Sequence, residues 1–182
     1  MKAKTIIGQT VAALMFIGGT ALAADLHTSK ESRGQFTAKV YKFVSEAARG
    51  GMHEVRLGEL AKQKGVSQAV RDFGQRMVTD HSKAGDELKQ IATTKGAVLP
   101  TELSHKENSE IEKFEKLSGK DFDKEYAEHM VKDHRADAKE FREAANNATD
   151  PELKAFAQKT LNIIEEHLRM AEQMLSTVKS SS

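Results

Sequence analysis

Apolar residues recur every three or four positions through two stretches in the first half of the chain, which is the spacing of one face of an α-helix. The first stretch runs from about Gln35 to Lys64 and stops before Gly65, a residue type that commonly ends helices. The second follows Ser67, a residue type that favours helix starts, and continues to about Lys95. These stretches predict one helical hairpin with a tight turn.

The second half of the chain repeats this organisation. Apolar stripes cover about residues 121–146 and 150–178, and the latter opens with Asp150-Pro151, an N-cap followed by proline in the first turn. In the long connection, about residues 96–120, Ser104 and Glu107 have capping-box spacing, which predicts a short extra helix. No segment alternates with the period of a strand. The chain therefore predicts an all-α, ferritin-like four-helix bundle over residues 35–178, with the long connection between helices two and three.

Each of the four long stripes carries one ionisable side chain that can bind a metal. These side chains are Glu54, His81, His134 and His167. If the long connection returns the chain to its starting end, a rise of about 1.5 Å per residue puts all four roughly 15–20 Å from the first turn. Burial of an ionisable group is unfavourable unless the group is paired or bound. We therefore expect the four residues to share one polar layer of the core.

Two interpretations of this layer stay open. The pattern alone favours a metal-free network in which Glu54 pairs with a protonated histidine. The alternative is a transition-metal site, because three imidazoles and a carboxylate suit zinc, copper or nickel better than a hard cation. In that case nearby carboxylates are expected to orient the imidazoles from outside the site. The candidates for this role are Asp80, Asp133 and Asp137.

An oxygen-activating iron pair is not expected in this layer. Di-iron bundles use Glu-x-x-His on two of their helices. The residues three positions before the histidines are Val78, Val131 and Ile164. The remaining histidines, His53, His105 and His129, are expected on solvent-exposed faces or in the connection. Gly50, Gly51 and Gly58 are expected to let a neighbouring helix approach closely.

The first residues predict export. Lys2 and Lys4 precede an apolar run from Ile6 to Ile17, and Ala21-Leu22-Ala23 has the small-x-small pattern of a signal-peptidase site. Residues 1–23 therefore predict a cleaved signal peptide and residues 24–34 a flexible lead, with the mature protein in the periplasm. The apolar run is too short for a confident membrane span, so no transmembrane segment is expected after cleavage.

Composition narrows the function classes further. With 28 basic and 27 acidic residues, the chain has no strong positive field that would attract nucleic acid. No cysteine is present, which excludes a disulfide. No Ser-His-Asp constellation or phosphate-binding loop is present, so we assign no catalytic residue and favour a non-enzymatic role.

Several segments resemble one bacterial family. They are Glu54-Val55-Arg56-Leu57-Gly58, Met77-Val78-Thr79-Asp80-His81, Phe122-Asp123-Lys124-Glu125-Tyr126, Met130-Val131-Lys132-Asp133-His134 and Asp150-Pro151-Glu152-Leu153-Lys154. The family is the exported domain of unknown function 4142, which is grouped with the ferritin-like bundles and often labelled an outer-membrane protein. The resemblance implies a fold and an exported location but no activity.

These observations lead to one functional expectation and one alternative. We expect an exported, non-enzymatic envelope protein, related to envelope stress, that acts through its bundle surface. The alternative is a metal-binding or redox bundle that holds zinc, copper or iron in the buried Glu/His layer. Neither interpretation names a partner.

Overall fold

The computed structural model describes residues 33–180, which form five helices and no strands. The helices are α1 (Ala38–Lys64), α2 (Gln68–Thr94), α3 (His105–Lys116), α4 (Gly119–Asn147) and α5 (Pro151–Ser180). α1 and α2 form one hairpin, α4 and α5 form the other, and α3 belongs to the long connection. The predicted all-α bundle is confirmed. The predicted signal peptide and residues 24–32 lie outside the described part of the chain.

Two helix starts have the caps that the sequence predicts. At α3, the Ser104 hydroxyl accepts a hydrogen bond from the Glu107 backbone N–H at 3.3 Å. The Glu107 carboxylate in turn accepts one from the Ser104 N–H at 2.5 Å, which completes the capping box. At α5, the Asp150 carboxylate accepts from the N–H groups of Glu152 and Leu153, at 3.1 and 3.0 Å. These bonds satisfy backbone donors that have no partner inside the helix.

The start of α2 is held differently from the prediction. Ser67 is the N-cap residue, but its side chain makes no capping hydrogen bond. Instead, the carboxylate of Asp123 accepts from the backbone N–H groups of Val66 and Ser67, at 3.0 and 2.7 Å. Asp123 lies in the second turn of α4 and is 2 % exposed. This contact joins the turn between α1 and α2 to the beginning of α4.

The contacts at the two ends establish that α2 and α4 run in parallel. Both helices begin at the end where Asp123 meets the α1–α2 turn. At the opposite end Lys95, just beyond α2, pairs with Asp150 at 2.6 Å and Glu152 at 2.9 Å, where α5 begins. The long connection therefore crosses the length of the bundle, as the height estimate for the polar layer assumed.

Close approach of two helix backbones occurs at only one of the three glycines singled out in α1. A Cβ atom on Gly58 would lie 2.7 Å from the carbonyl oxygen of Gly74, and a Cβ on Gly74 would lie 2.7 Å from that of Gly58. Gly50 has no such neighbour within 4 Å, and Gly51 only touches the His81 carbonyl oxygen at 4.0 Å. The expectation for Gly50 and Gly51 was wrong, because no atom of a neighbouring helix comes closer than 4.0 Å to a Cβ at either position.

The core consists of two apolar clusters with the polar layer between them. The cluster nearer the α1–α2 turn includes Leu57, Phe73, Met77, Phe122, Tyr126, Met130, Ala171 and Met174. The other cluster includes Val44, Leu88, Ala138, Phe141, Phe156 and Ile164. On every long helix the layer residue lies between members of the two clusters. None of the helices within residues 33–180 combines the length and apolar character needed to cross a bilayer.

Candidate metal centre

The four residues of the predicted polar layer meet in the bundle core. Glu54 and His81 are 2 % and 8 % exposed, and His134 and His167 are fully buried. The three imidazole ring centroids lie 5.3 to 5.9 Å apart. One ligand atom from each histidine lies within 4.8 Å of the other two. The structure thus brings together all four residues that the stripes placed at a common height.

Each imidazole is held by a hydrogen bond through one ring nitrogen. His81 Nδ1 lies 2.9 Å from Glu54 Oε2. His134 Nδ1 donates to the backbone carbonyl of Met130 at 3.0 Å. His167 Nε2 donates to Asp80 Oδ2 at 2.8 Å. In a neutral imidazole that donates through one nitrogen, the other nitrogen carries a lone pair that can bind a metal.

The other ring nitrogens are buried without a hydrogen-bond partner. They are His81 Nε2, His134 Nε2 and His167 Nδ1, and Glu54 Oε1 shares this condition. The approach of His134 Nε2 to Glu54 Oε1, 3.5 Å, is longer than a good hydrogen bond. Unpartnered buried polar atoms cost about 1–3 kcal/mol each, so their accumulation in one layer favours a bound partner such as water or a metal ion.

The donor set fits a transition metal in chemistry and approximately in size. A tetrahedral zinc ion with bonds of about 2.1 Å holds its ligand atoms about 3.4 Å apart. The three histidines therefore need to contract from separations of up to 4.8 Å. Each imidazole already donates its second nitrogen to a carboxylate or carbonyl, the usual arrangement around a metal-bound histidine.

Burial sets the protonation of the layer. It lowers the pKa of His81 to about 4 and of His167 to about 3, and it also lowers the pKa of His134. Burial raises the pKa of Glu54 to about 7, and burial together with the Glu54 charge raises the pKa of Asp137 to about 9. At neutral pH the histidines are therefore uncharged, which disfavours the pairing of Glu54 with a protonated histidine.

The three nearby aspartates have two different roles. Asp80 accepts from His167 and also from Arg76 Nε. Burial alone would raise the pKa of Asp80, but these two bonds outweigh it and hold the pKa below its usual range. Asp133 and Asp137 instead form a cluster of three carboxylates with Glu54. Each residue of this cluster has one oxygen within 4.8 Å of an oxygen of the other two. Asp80 thus has the orienting position expected from the sequence.

A small cavity of about 50 Å³ adjoins the layer. Glu54, His81 and Asp137 are among its lining residues, with Gly50 and Gly51 on the side of α1. The cavity has polar partners and room for water, so the layer is accessible to small species from this side.

Comparison with known proteins places the chain in a family. The family model described as "Domain of unknown function (DUF4142)" matches residues 25–174. The chain belongs to this family. The family membership that the sequence resemblance suggested is confirmed.

A solved structure shows a similar fold. The protein described as "Crystal structure of DUF305 fragment from Deinococcus radiodurans" aligns with a TM-score of 0.69 at 12 % identity. The alignment covers 78 % of this chain and 97 % of that chain. At this identity the likeness concerns the fold alone. None of the curated proteins matches this chain.

The DUF4142 domain contains a second group of ligand-type residues that the stripe pattern missed. His53 is only 4 % exposed and the side chain of His129 is 14 % exposed, so the expectation that both are solvated was wrong. Only His105 of the three is exposed. His53, His129 and Glu110 each offer a ligand atom within 4.8 Å of the others.

Helix α3 is the reason that this group was missed. It packs beside α1 and α4, with the Phe114 ring centroid 5.2 Å from that of His129. The side chain of Lys64, at the end of α1, donates to the carbonyl oxygen of Glu115. The spacing of four residues between His129 and Asp133 was a signal, but only the docking of α3 adds Glu110 and buries His53.

Proposed function

We propose that this protein is an exported helical bundle that binds a transition-metal ion in its buried layer. The ligands are drawn from His81, His134, His167 and Glu54. The observation that carries the proposal is the set of three buried imidazole nitrogens without a hydrogen-bond partner, on rings whose other nitrogens are already held. Zinc and copper fit three nitrogens and one carboxylate oxygen better than magnesium or calcium.

Binding rather than catalysis is the proposed role. The layer lies between two apolar clusters, which limit the approach of a substrate larger than a few atoms. The adjoining cavity of about 50 Å³ admits water or an ion rather than an organic substrate. Carriage, storage or sensing of the ion in the bacterial envelope fits this geometry.

Export is part of the proposal and rests on the first residues of the sequence. A basic start, an apolar run and Ala21-Leu22-Ala23 support cleavage after Ala23 and a periplasmic location. N-terminal sequencing of protein recovered from the periplasm should begin at Ala24. Recovery of the exported chain with Met1 in place would contradict the cleavage.

A second candidate function is an envelope protein that acts through its surface and keeps the layer free of metal. The contact of 2.9 Å between His81 Nδ1 and Glu54 Oε2 favours it, because this hydrogen bond partners two of the buried groups without an ion. In this alternative the layer only fixes which helices face each other.

Metal content distinguishes the two candidates. The protein is purified without a His tag and dialysed, and its metals are measured by mass spectrometry beside those of His134→Leu and His105→Leu. His134 is fully buried in the layer, whereas His105 is an exposed histidine at the start of α3. We expect the zinc or copper content to fall in the first variant and to stay unchanged in the second. Equal metal content in all three proteins would reject the buried site.

A further inference from the structure

A second cluster of metal-capable side chains lies outside the buried layer. His53 comes from α1, Glu110 from α3 and His129 from α4. His53 is 4 % exposed, and the side chains of His129 and Glu110 are 14 % and 34 % exposed. The two imidazole centroids lie 5.9 Å apart. Three helices thus place a half-buried group of ligands at one point.

The polar atoms of this cluster face each other without forming hydrogen bonds. Glu110 Oε2 lies 3.7 Å from His53 Nε2, and Glu110 Oε1 lies 3.7 Å from His129 Nδ1. His129 Nε2 lies 3.7 Å from Asp133 Oδ2. These distances exceed those of hydrogen bonds. The Nε2 atoms of His53 and His129 are buried and lack a hydrogen-bond partner. Like the buried layer, this cluster therefore contains imidazole nitrogens that are free to bind an ion.

We propose that His53, His129 and Glu110 form a second transition-metal site. Two imidazole nitrogens and one carboxylate oxygen are a ligand set for zinc that leaves the fourth position to water. Glu110 lies between the two imidazoles, so an ion at this point would replace its two long contacts by bonds, while Asp133 faces the other ring nitrogen of His129.

The surface next to this site gives an ion access to it. A groove of about 310 Å³ between α3 and α4 is lined by His129 and Glu110. Its remaining charged residues are Glu125, Glu128, Lys113 and Lys132. Glu128 is also paired with Lys179 at 3.2 Å, so the groove is close to neutral and does not repel a cation.

Asp133 connects the second site with the buried layer. Its carboxylate lies 3.7 Å from His129 Nε2. It also has an oxygen within 4.8 Å of an oxygen of Glu54 and of Asp137. On α1 the consecutive residues His53 and Glu54 serve the two sites, as do Asp133 and His134 on α4. The groove beside the second site is wider than the cavity near Gly50 and Gly51, about 310 Å³ against about 50 Å³. We therefore infer that the second site is the main entrance to the buried layer, a role that rests on the proposed function.

Zinc titration of the metal-free protein tests the second site. The variants are Glu110→Gln, its control Glu112→Gln on the exposed face of the same helix, and His134→Leu. We expect about two Zn²⁺ ions per chain in the unchanged protein and in Glu112→Gln, and about one in Glu110→Gln and in His134→Leu. Retention of both ions by Glu110→Gln and by a further variant, His129→Gln, would overturn the second site.

The same titration separates the two proposals. If one ion binds and only His134→Leu loses it, the second site is wrong and the proposed function stands. If one ion binds and only Glu110→Gln loses it, the buried centre and the entrance role are wrong and the second site stands. If no ion binds to any of the proteins, both proposals are rejected.

Rapid mixing with Co²⁺, followed by visible absorption, tests the entrance role. The buried layer should fill at least about tenfold more slowly in Glu110→Gln than in Glu112→Gln, because the site that concentrates the ion is weakened. The equilibrium affinity of the buried layer for Co²⁺ should be the same in the two variants. Equal filling rates in the two variants would contradict the entrance role.

Discussion

Asp80 and His167 are joined across the interface of α2 and α5, with Asp80 Oδ2 2.8 Å from His167 Nε2. Arg76 binds the same carboxylate oxygen from the preceding turn of α2. The imidazole is thereby fixed with its Nδ1 unpartnered and buried. An orienting carboxylate of this kind raises the basicity of a metal-bound imidazole and holds its ring direction.

Replacement of Asp80 should therefore weaken metal binding without abolishing the fold. We expect Asp80→Asn to lower the affinity of the buried layer for Zn²⁺ by roughly 10–100-fold. Asp86→Asn, at an exposed aspartate of the same helix, should have no effect on affinity. The measurement is a competition titration with a chelating dye. Equal affinities of the two variants would show that Asp80 does not orient a ligand.

Two substitutions of buried histidines should differ in their effect on the metal-free protein. In His81→Leu, Glu54 loses the partner of its Oε2 atom while remaining 2 % exposed, so the free energy of unfolding should fall by about 1–3 kcal/mol. In His167→Leu the loss should be smaller, because Asp80 keeps Arg76 and its side chain is 19 % exposed. Urea unfolding in the presence of a chelator measures both values.

The same two variants also report on the metal. Zn²⁺ should raise the melting temperature of the unchanged protein, and the rise should be smaller in both variants, because only the second site still binds the ion. Equal stability losses in chelator would contradict the hydrogen-bond assignment. A zinc-dependent rise as large in both variants as in the unchanged protein would contradict the buried metal site.

The metal-free protein should be most stable between about pH 4.5 and pH 6.5. The pKa values of His81 and His167 are lowered to about 4 and 3, so these residues bind more protons in the unfolded chain below pH 6.5. Down to about pH 4.5 the opposite shifts of Glu54 and Asp137 offset this difference, and below that pH stability falls with decreasing pH. The pKa values of Glu54 and Asp137 are raised to about 7 and 9. These two groups bind more protons in the folded state, so stability is lost as pH rises through those values.

Asp137→Asn tests the alkaline side of this dependence. The amide cannot ionise, so the decrease in the free energy of unfolding between pH 7 and pH 9 should become shallower than in the unchanged protein. Asp86→Asn serves as the control, and chemical unfolding at a series of pH values in chelator is the measurement. An alkaline decrease that is the same in both variants would assign it to other groups.

Two glycine substitutions in α1 should have opposite signs. Gly58→Ala places a Cβ 2.7 Å from the Gly74 carbonyl oxygen and should destabilise the protein by about 1–3 kcal/mol. Gly50→Ala meets open space and should stabilise the helix by up to about 1 kcal/mol. Melting temperatures of the two variants give the comparison, and a destabilising Gly50→Ala would show that the space beside α1 is needed.

The sequence by itself determined the helices and the composition of the buried layer. Helical periodicity is a property of neighbouring residues, so the stripes through Glu54, His81, His134 and His167 could be read without a structure. The capping box at Ser104 and the cap at Asp150 were predictable for the same reason, because a cap involves residues within one turn of each other. The common height followed from the rise per residue on the assumption of a crossover connection, which the contacts at the two ends of the bundle then established.

Only the tertiary structure decided what depends on how helices dock. Asp123, rather than Ser67, holds the start of α2 because α4 begins beside that turn. His53 is buried because α3 packs against α1 and α4, and no periodicity within α3 specifies that position. The identity of the unpartnered imidazole nitrogens depends on hydrogen bonds between side chains far apart in the sequence. Such contacts are set by the packing of whole helices, which local patterns do not encode.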